Sequence, residues 1–133
     1  MKRLDLVDNH RCFACGFDNL DGLRISWEID RSTMSGYYTP EEKYQGWKGI
    51  VHGGILATLL DEAMARLAGV LYQGALTAEM TVRYVAPAVI GEVLYIRGEV
   101  VKESRRIIEM KAFIYKGDSS GILIAHSTGK IVR

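Results

Sequence analysis

GIVHGGILATLLDEAMARLAGVLY, residues 49–72, changes character at its adjacent glycines, Gly53 and Gly54. Up to Gly54 neither a helical nor a strand period holds; beyond it apolar residues recur at helical spacing as far as Tyr72. At about 100° per residue, Ile55, Leu56, Leu59, Leu60, Ala63, Leu67 and Leu71 form one broad stripe, the face a helix lays on a sheet. The spacing predicts a helix over Gly54–Tyr72, roughly 28 Å long. Glu62 and Arg66 lie four apart at the edge of the stripe, an arrangement suited to a surface ion pair worth about 0.2–0.5 kcal/mol. Asp61 points elsewhere, into a lane of small residues formed by Gly54, Ala57, Ala65 and Ala68.

Outward from this helix the pattern turns to period two. Upstream, Leu23, Ile25, Trp27 and Ile29 alternate with polar residues, which predicts a strand paired in a hairpin with Met34–Thr39. Between that hairpin and the helix, residues 40–54 contain four glycines and suggest a long positioning loop. Downstream, Ala78, Met80, Val82 and Tyr84 alternate with Thr77, Glu79, Thr81 and Arg83. Strands over 93–101, 107–115 and 122–132 follow, the last two joined by the turn GDSSG at 117–121. One long helix with an antiparallel sheet of five or six strands is an α+β fold with the helix across one face. A single domain over 1–133 is expected, with 1–22 as a turn-rich N-terminal loop segment.

Composition narrows the function. Lys and Arg total 17 against 16 for Asp and Glu, so no bulk field draws the chain to nucleic acid or to an anionic membrane. Lys2 and Arg3 precede no apolar leader core, and no apolar run approaches a membrane span, so a cytoplasmic protein is expected. The pair Cys12 and Cys15 has the spacing of half a zinc site. His10 or a second subunit are the available sources of further ligands, but free thiols in a loop, with no metal or other cofactor, are expected.

The end of the long loop carries the chemistry. The first N–H groups of a helix lack intrahelical partners and sit at the positive end of its dipole, so they can hold a developing oxyanion. With no side chains, Gly53 and Gly54 leave those donors open to a substrate carbonyl. Asp61 follows Gly53 by about 12 Å along the axis, too far for both to act on one carbonyl. Two antiparallel copies of the helix across a two-fold axis would bring Asp61 of each to Gly53 of the other, so activity is expected to require a dimer.

His52-Gly53-Gly54, Asp61 nine residues after the histidine, and the 77–87 strand resemble the hotdog-fold thioesterases, with the PaaI-like acyl-CoA thioesterases the most similar group. The resemblance runs from about Leu23 to the end. It implies a hotdog fold, in which a curved antiparallel sheet wraps the long helix, an acyl-CoA substrate, and homodimers that often associate into homotetramers. Carried over, it makes Gly53 the N–H that polarises the thioester carbonyl and Asp61 the nucleophile or general base. Thr77 then stands where relatives carry a serine that helps hold water, and His52 orients the loop. Gln45 stands near where some relatives place an asparagine. Glu79, on the same strand face as Thr77, is expected either to line the cleft or to pair with Arg83. Arg83, with Arg97, Lys102, Arg105 and Arg106, is a candidate for the phosphates of a coenzyme A tail. Trp47, Met64, Tyr72 and Met80 are candidates for shaping the acyl pocket. Two alternatives stay open: a non-catalytic acyl-CoA binding or sensor protein, and an enoyl-thioester hydratase or dehydratase, which needs a histidine and an acid at the β-carbon.

Overall fold

The computed structural model describes residues 6–133, so Lys2 and Arg3 lie outside the described residues. Six strands, β1 (Trp27–Asp30), β2 (Thr33–Tyr38), β3 (Leu76–Tyr84), β4 (Leu94–Glu103), β5 (Ile107–Lys116) and β6 (Leu123–Val132), flank one helix, α1 (Gly53–Tyr72). They form one antiparallel sheet in the order β1-β2-β4-β5-β6-β3, and α1 packs across β4, β5, β6 and β3. This is the expected hotdog architecture. Helix and β3 are inserted between the neighbours β2 and β4, so the chain crosses the sheet along α1 and lays β3 on the far edge.

Alternation explains the layers. Ile108, Met110, Ala112 and Ile114 of β5 are fully buried under α1, as are Leu94 and Ile96 of β4, while the residues between them face outward. From the helix, Leu56, Leu59, Leu60, Ala63, Met64, Leu67 and Ala68 fill the core. This face is turned from the expected stripe: Ile55 is half-buried, Leu71 is exposed, and Met64 and Ala68 replace them. A curved sheet touches more of the helix circumference than a flat one, so Ala68, expected in the small-residue lane, is inside. Met64 is core rather than acyl pocket, its sulfur 3.6 Å from Ser127 Oγ.

The first strand is shorter than its alternation suggested. Arg24 has φ 55°, which interrupts extended backbone, and the Leu23 and Ile25 N–H groups bond to Phe13 O and Ala14 O. Leu23 and Ile25 are buried by the N-terminal loop instead of by a ladder. Beyond Trp27 the predicted hairpin forms, Trp27 opposite Gly36 and Asp30 opposite Thr33.

Candidate active site

At the start of α1, His52 is the N-cap, with φ −60° and ψ 134°, and its Nδ1 accepts the Gly54 N–H at 2.8 Å. The next two amides, of Ile55 and Leu56, donate to His52 O at 2.9 and 3.3 Å. Of the first four helix N–H groups, only that of Gly53 therefore lacks an acceptor among the described residues. Tyr84 on β3 steadies the turn from outside, its hydroxyl donating to Gly53 O at 2.9 Å. Sequence reasoning missed Tyr84, and only its place in the period-two run of β3 hinted that it faces the helix.

The loop before the helix is tied on both sides. His52 N–H donates to Tyr44 O and Val51 N–H to Ala88 O, at 3.0 and 2.9 Å. Gln45 Oε1 accepts the Gly49 N–H at 3.0 Å, closing the turn in which Gly49 adopts φ 77°. Gln45 thus braces the loop with the carbonyl of its side chain. Gly46 comes so near the His52 backbone that an added Cβ would lie 3.3 Å from His52 Cα. Open clefts of about 400 and 310 Å³ meet at Gly53, one lined by Trp47, Ile50 and His52, the other by Leu56, Tyr84 and Pro87. Trp47 stands 85% exposed at the mouth of the first.

Asp61, two turns further along, is half-buried and accepts a hydrogen bond from Thr77 Oγ1 at 2.6 Å. The two residues come together because β3 carries a bulge. Thr77 pairs with Ile131 and Glu79 with Lys130, so Ala78 is an extra residue against β6. Beyond the bulge Met80 and Val82 face the helix; before it, so does Thr77.

The bulge corrects the expected placement of Glu79 and Arg83. Glu79 lies opposite Lys130 and Arg83 opposite His126, residues of β6 that point away from the helix between buried Ser127, Gly129 and Ile131. Glu79 therefore does not share a face with Thr77, and both it and Arg83 lie on the outer side of the sheet, away from Asp61 and Gly53. No ion pair joins Glu79 to Arg83 among the described residues. His126 is on the same outer side, stacked on Phe113.

Glu62 also departs from expectation. Arg66 bonds to Asp8 at 3.1 Å, and Glu62 turns instead toward Cys12 and Cys15. Burial, against the relief of a hydrogen bond from Cys15 and the nearby Arg66 charge, pushes the Glu62 carboxyl above its ordinary range. Burial, reinforced by that carboxyl, pushes the Cys15 thiol up.

Gly53 and Asp61 remain two helical turns apart in one chain, as the spacing requires. Beside Asp61, the outer edge of β3 has no strand partner among the described residues, and most of its nine residues are exposed. No helix among the described residues is long and apolar enough to cross a membrane.

Comparison with known proteins agrees with this fold. The sequence profile of the thioesterase superfamily matches residues 48–122, from the loop before α1 to the end of the β5–β6 turn. A Caenorhabditis elegans protein named “putative esterase” is 34% identical over 80 residues, covering 59% of this chain and 47% of its own length. The chain thus spans about half of that relative. Among solved structures, the thioesterase superfamily protein RHA08564 is similar with TM-score 0.82 and 25% identity over 93% of this chain and 61% of its own. A Streptococcus pneumoniae hypothetical thioesterase, solved with coenzyme A, has TM-score 0.75 and 21% identity over 87% of this chain and 89% of its own.

Proposed function

The chain belongs to the thioesterase superfamily, and we propose that it hydrolyses acyl thioesters of coenzyme A, as a PaaI-like enzyme, at sites shared between two subunits. The observation that carries this reading is the presence on one helix of an N-terminal amide, on Gly53, with no acceptor among the described residues, and of a carboxylate held by a hydroxyl, Asp61 by Thr77 at 2.6 Å. The first suits a carbonyl oxygen gaining negative charge, the second the attack on its carbon. The superfamily match and the coenzyme A bound by the Streptococcus pneumoniae protein support the substrate class.

In the proposed reaction the acyl carbonyl rests against the Gly53 N–H of one protomer. Asp61 of the other either attacks the carbonyl carbon, giving an anhydride that water then cleaves, or takes a proton from a water that attacks directly. Thr77 orients the Asp61 carboxylate through Oδ1, leaving its other oxygen for water or substrate. The tetrahedral oxyanion collapses and the C–S bond breaks; the departing coenzyme A thiolate takes its proton from Asp61 in the general-base route and from solvent water in the nucleophilic one. His52 acts on the loop, by capping Gly54, and Gly54, with no side chain, leaves the helix start open to the substrate carbonyl. The open edge of β3 supports a dimer built by strand pairing, which brings each Asp61 toward the neighbouring Gly53. Further association into tetramers would use the outer sheet face, where Tyr37, Tyr95, Tyr115, Phe113 and His126 form a continuous aromatic band. The cytoplasm is the proposed compartment.

The test is Asp61→Asn, which keeps shape and the acceptor for Thr77. With a panel of acyl-CoAs and a thiol-reactive dye, kcat should fall by roughly 10²- to 10⁴-fold while the melting curve is unchanged. Undiminished release by the folded variant would remove Asp61 from the chemistry. Binding without release by the wild type would favour the sensor alternative. The hydratase alternative loses His126 as its histidine, because that residue lies on the outer face of the sheet.

A further inference from the structure

We propose that Cys12, Cys15 and Glu62 form a binding site for a thiophilic divalent cation, zinc in character, which clamps the N-terminal loop to the middle of α1. Their two sulfurs and a carboxylate oxygen all lie within 4.8 Å of one another. Tetrahedral zinc with bonds of about 2.0–2.3 Å separates its ligand atoms by roughly 3.5–3.8 Å, so closure onto a metal takes about 1 Å of side-chain adjustment. The cysteines supply half of a site by themselves, and the missing part comes from a helix distant in sequence.

The turn that holds the cysteines is built to present sulfur. Gly16 N–H donates to Cys12 O at 2.8 Å, and Ala14 N–H points at Cys12 Sγ at 3.4 Å. An amide directed at a sulfur favours its thiolate, the form that binds metal. Only glycine closes this turn, because a Cβ at position 16 would stand 2.5 Å from Cys12 N and from His10 O.

Charge supplies the second argument. Glu62 is a half-buried carboxylate facing two thiols, and none of the ion pairs among the described residues includes it. Arg66, one turn along, commits its Nη1 to Asp8. A carboxylate drawn partly from water is stabilised by a cation, and without one it tends to take up a proton. Two thiolates and a carboxylate would offer a divalent ion a soft, strongly anionic pocket, which selects zinc over magnesium or calcium. The groove between the N-terminal segment and α1, about 970 Å³ and lined by Asn9, Arg11 and Ala65 as well as the three ligands, leaves the fourth coordination position to water. Glu62 adjoins Asp61, so the ion would also fix the turn of helix that carries the proposed base.

The experiment is metal analysis of the full chain, purified without chelator and equilibrated with zinc, together with titration by cobalt(II). One zinc per chain is expected, and cobalt should give the thiolate charge-transfer band of sulfur ligation. Cys12→Ser and Cys15→Ser should abolish both signals, and Glu62→Gln should weaken zinc binding by at least about tenfold. Should the serine variants fail to fold, alkylation of the wild-type thiols decides: zinc should protect both, and a chelator should reverse that protection. Absence of zinc uptake while both thiols titrate as reduced would overturn the proposal. So would metal retained by the folded serine variants, indifference to Glu62→Gln, or a Cys12–Cys15 disulfide that forms despite bound zinc.

Discussion

Replacing Gly53 by proline deletes the proposed oxyanion donor and almost nothing else. Position 53 is the first residue of α1, the one helical position where proline is favoured, because its missing N–H bonds to nothing in the helix. The residue before a proline must be extended, and His52 already is, at φ −60° and ψ 134°. A Cβ at position 53 would meet the Tyr84 ring at 3.5 Å, an ordinary contact. The variant should therefore melt within about 1 kcal/mol of the wild type, yet lose roughly 10²- to 10³-fold in kcat, the usual cost of one oxyanion-hole donor. Gly53→Ala adds the same Cβ and keeps the N–H, so the ratio of the two variants isolates the hydrogen bond from the bulk. Thiol release from acyl-CoA, with the signal of Cys12 and Cys15 subtracted, measures both. A folded proline variant within about twofold of the alanine variant would refute the assignment of Gly53. Mixing then tests the shared site: in heterodimers of Gly53→Pro with Asp61→Asn, one site receives both wild-type groups and the other neither. Since random pairing makes half the dimers mixed, about a quarter of wild-type activity should return. If each site lay within one chain, none would.

Thr77→Ala removes the hydroxyl 2.6 Å from Asp61 and should lower kcat by about tenfold or more, the worth of a hydrogen bond to a charged group, while Thr77→Ser should keep the rate. Gly98→Ala on β4 should destabilise by about 3 kcal/mol in chemical denaturation, since the new Cβ would collide with the Ala63 carbonyl of the overlying helix. Asp8 accepts the His10 N–H and faces Arg66, which together hold its carboxyl below the ordinary 3.8. Its stabilising contribution is therefore complete above that value and lost as pH falls through the lowered native one. Because Asp8 and Arg66 are both substantially exposed, Asp8→Asn should cost less than about 1 kcal/mol at pH 7, and the difference from wild type should vanish in acid melts.

What the sequence made legible was local. The helix of α1 was found to within one residue at its start because its apolar period and its glycine boundary are properties of consecutive residues. The same holds for β4, β5 and β6, each bounded by turn residues and alternating under a buried face. β1 was overextended because the alternation of Leu23 and Ile25 is real but serves the N-terminal loop, and only the positive φ at Arg24 ends the strand. The helix face was misjudged by about one residue in four because a stripe presumes a flat partner.

The site divides along the same line. His52, Gly53 and Gly54 could be placed because a cap and its free amide are defined within a few residues. Asp61 stands out by its lane of small residues and the resemblance gives Thr77 a role in holding water, but nothing local joins the two, and the geometry that does rests on a feature that alternation hides. From Leu76 to Tyr84 the period is unbroken, so the pattern put Thr77 and Glu79 on one face. The bulge at Ala78 is set by register against β6, where Ile131 and Lys130 take Thr77 and Glu79 as partners. One extra residue thus turns the hydroxyl toward the helix and leaves the acid outside. Glu62 follows the same logic: its helical neighbour Arg66 was the obvious partner four residues away, but Asp8 claims that guanidinium from the N-terminal loop. With the guanidinium taken, the carboxylate faces the cysteines, and a pairing that local spacing described as a surface ion pair becomes a cluster of metal-ligand type.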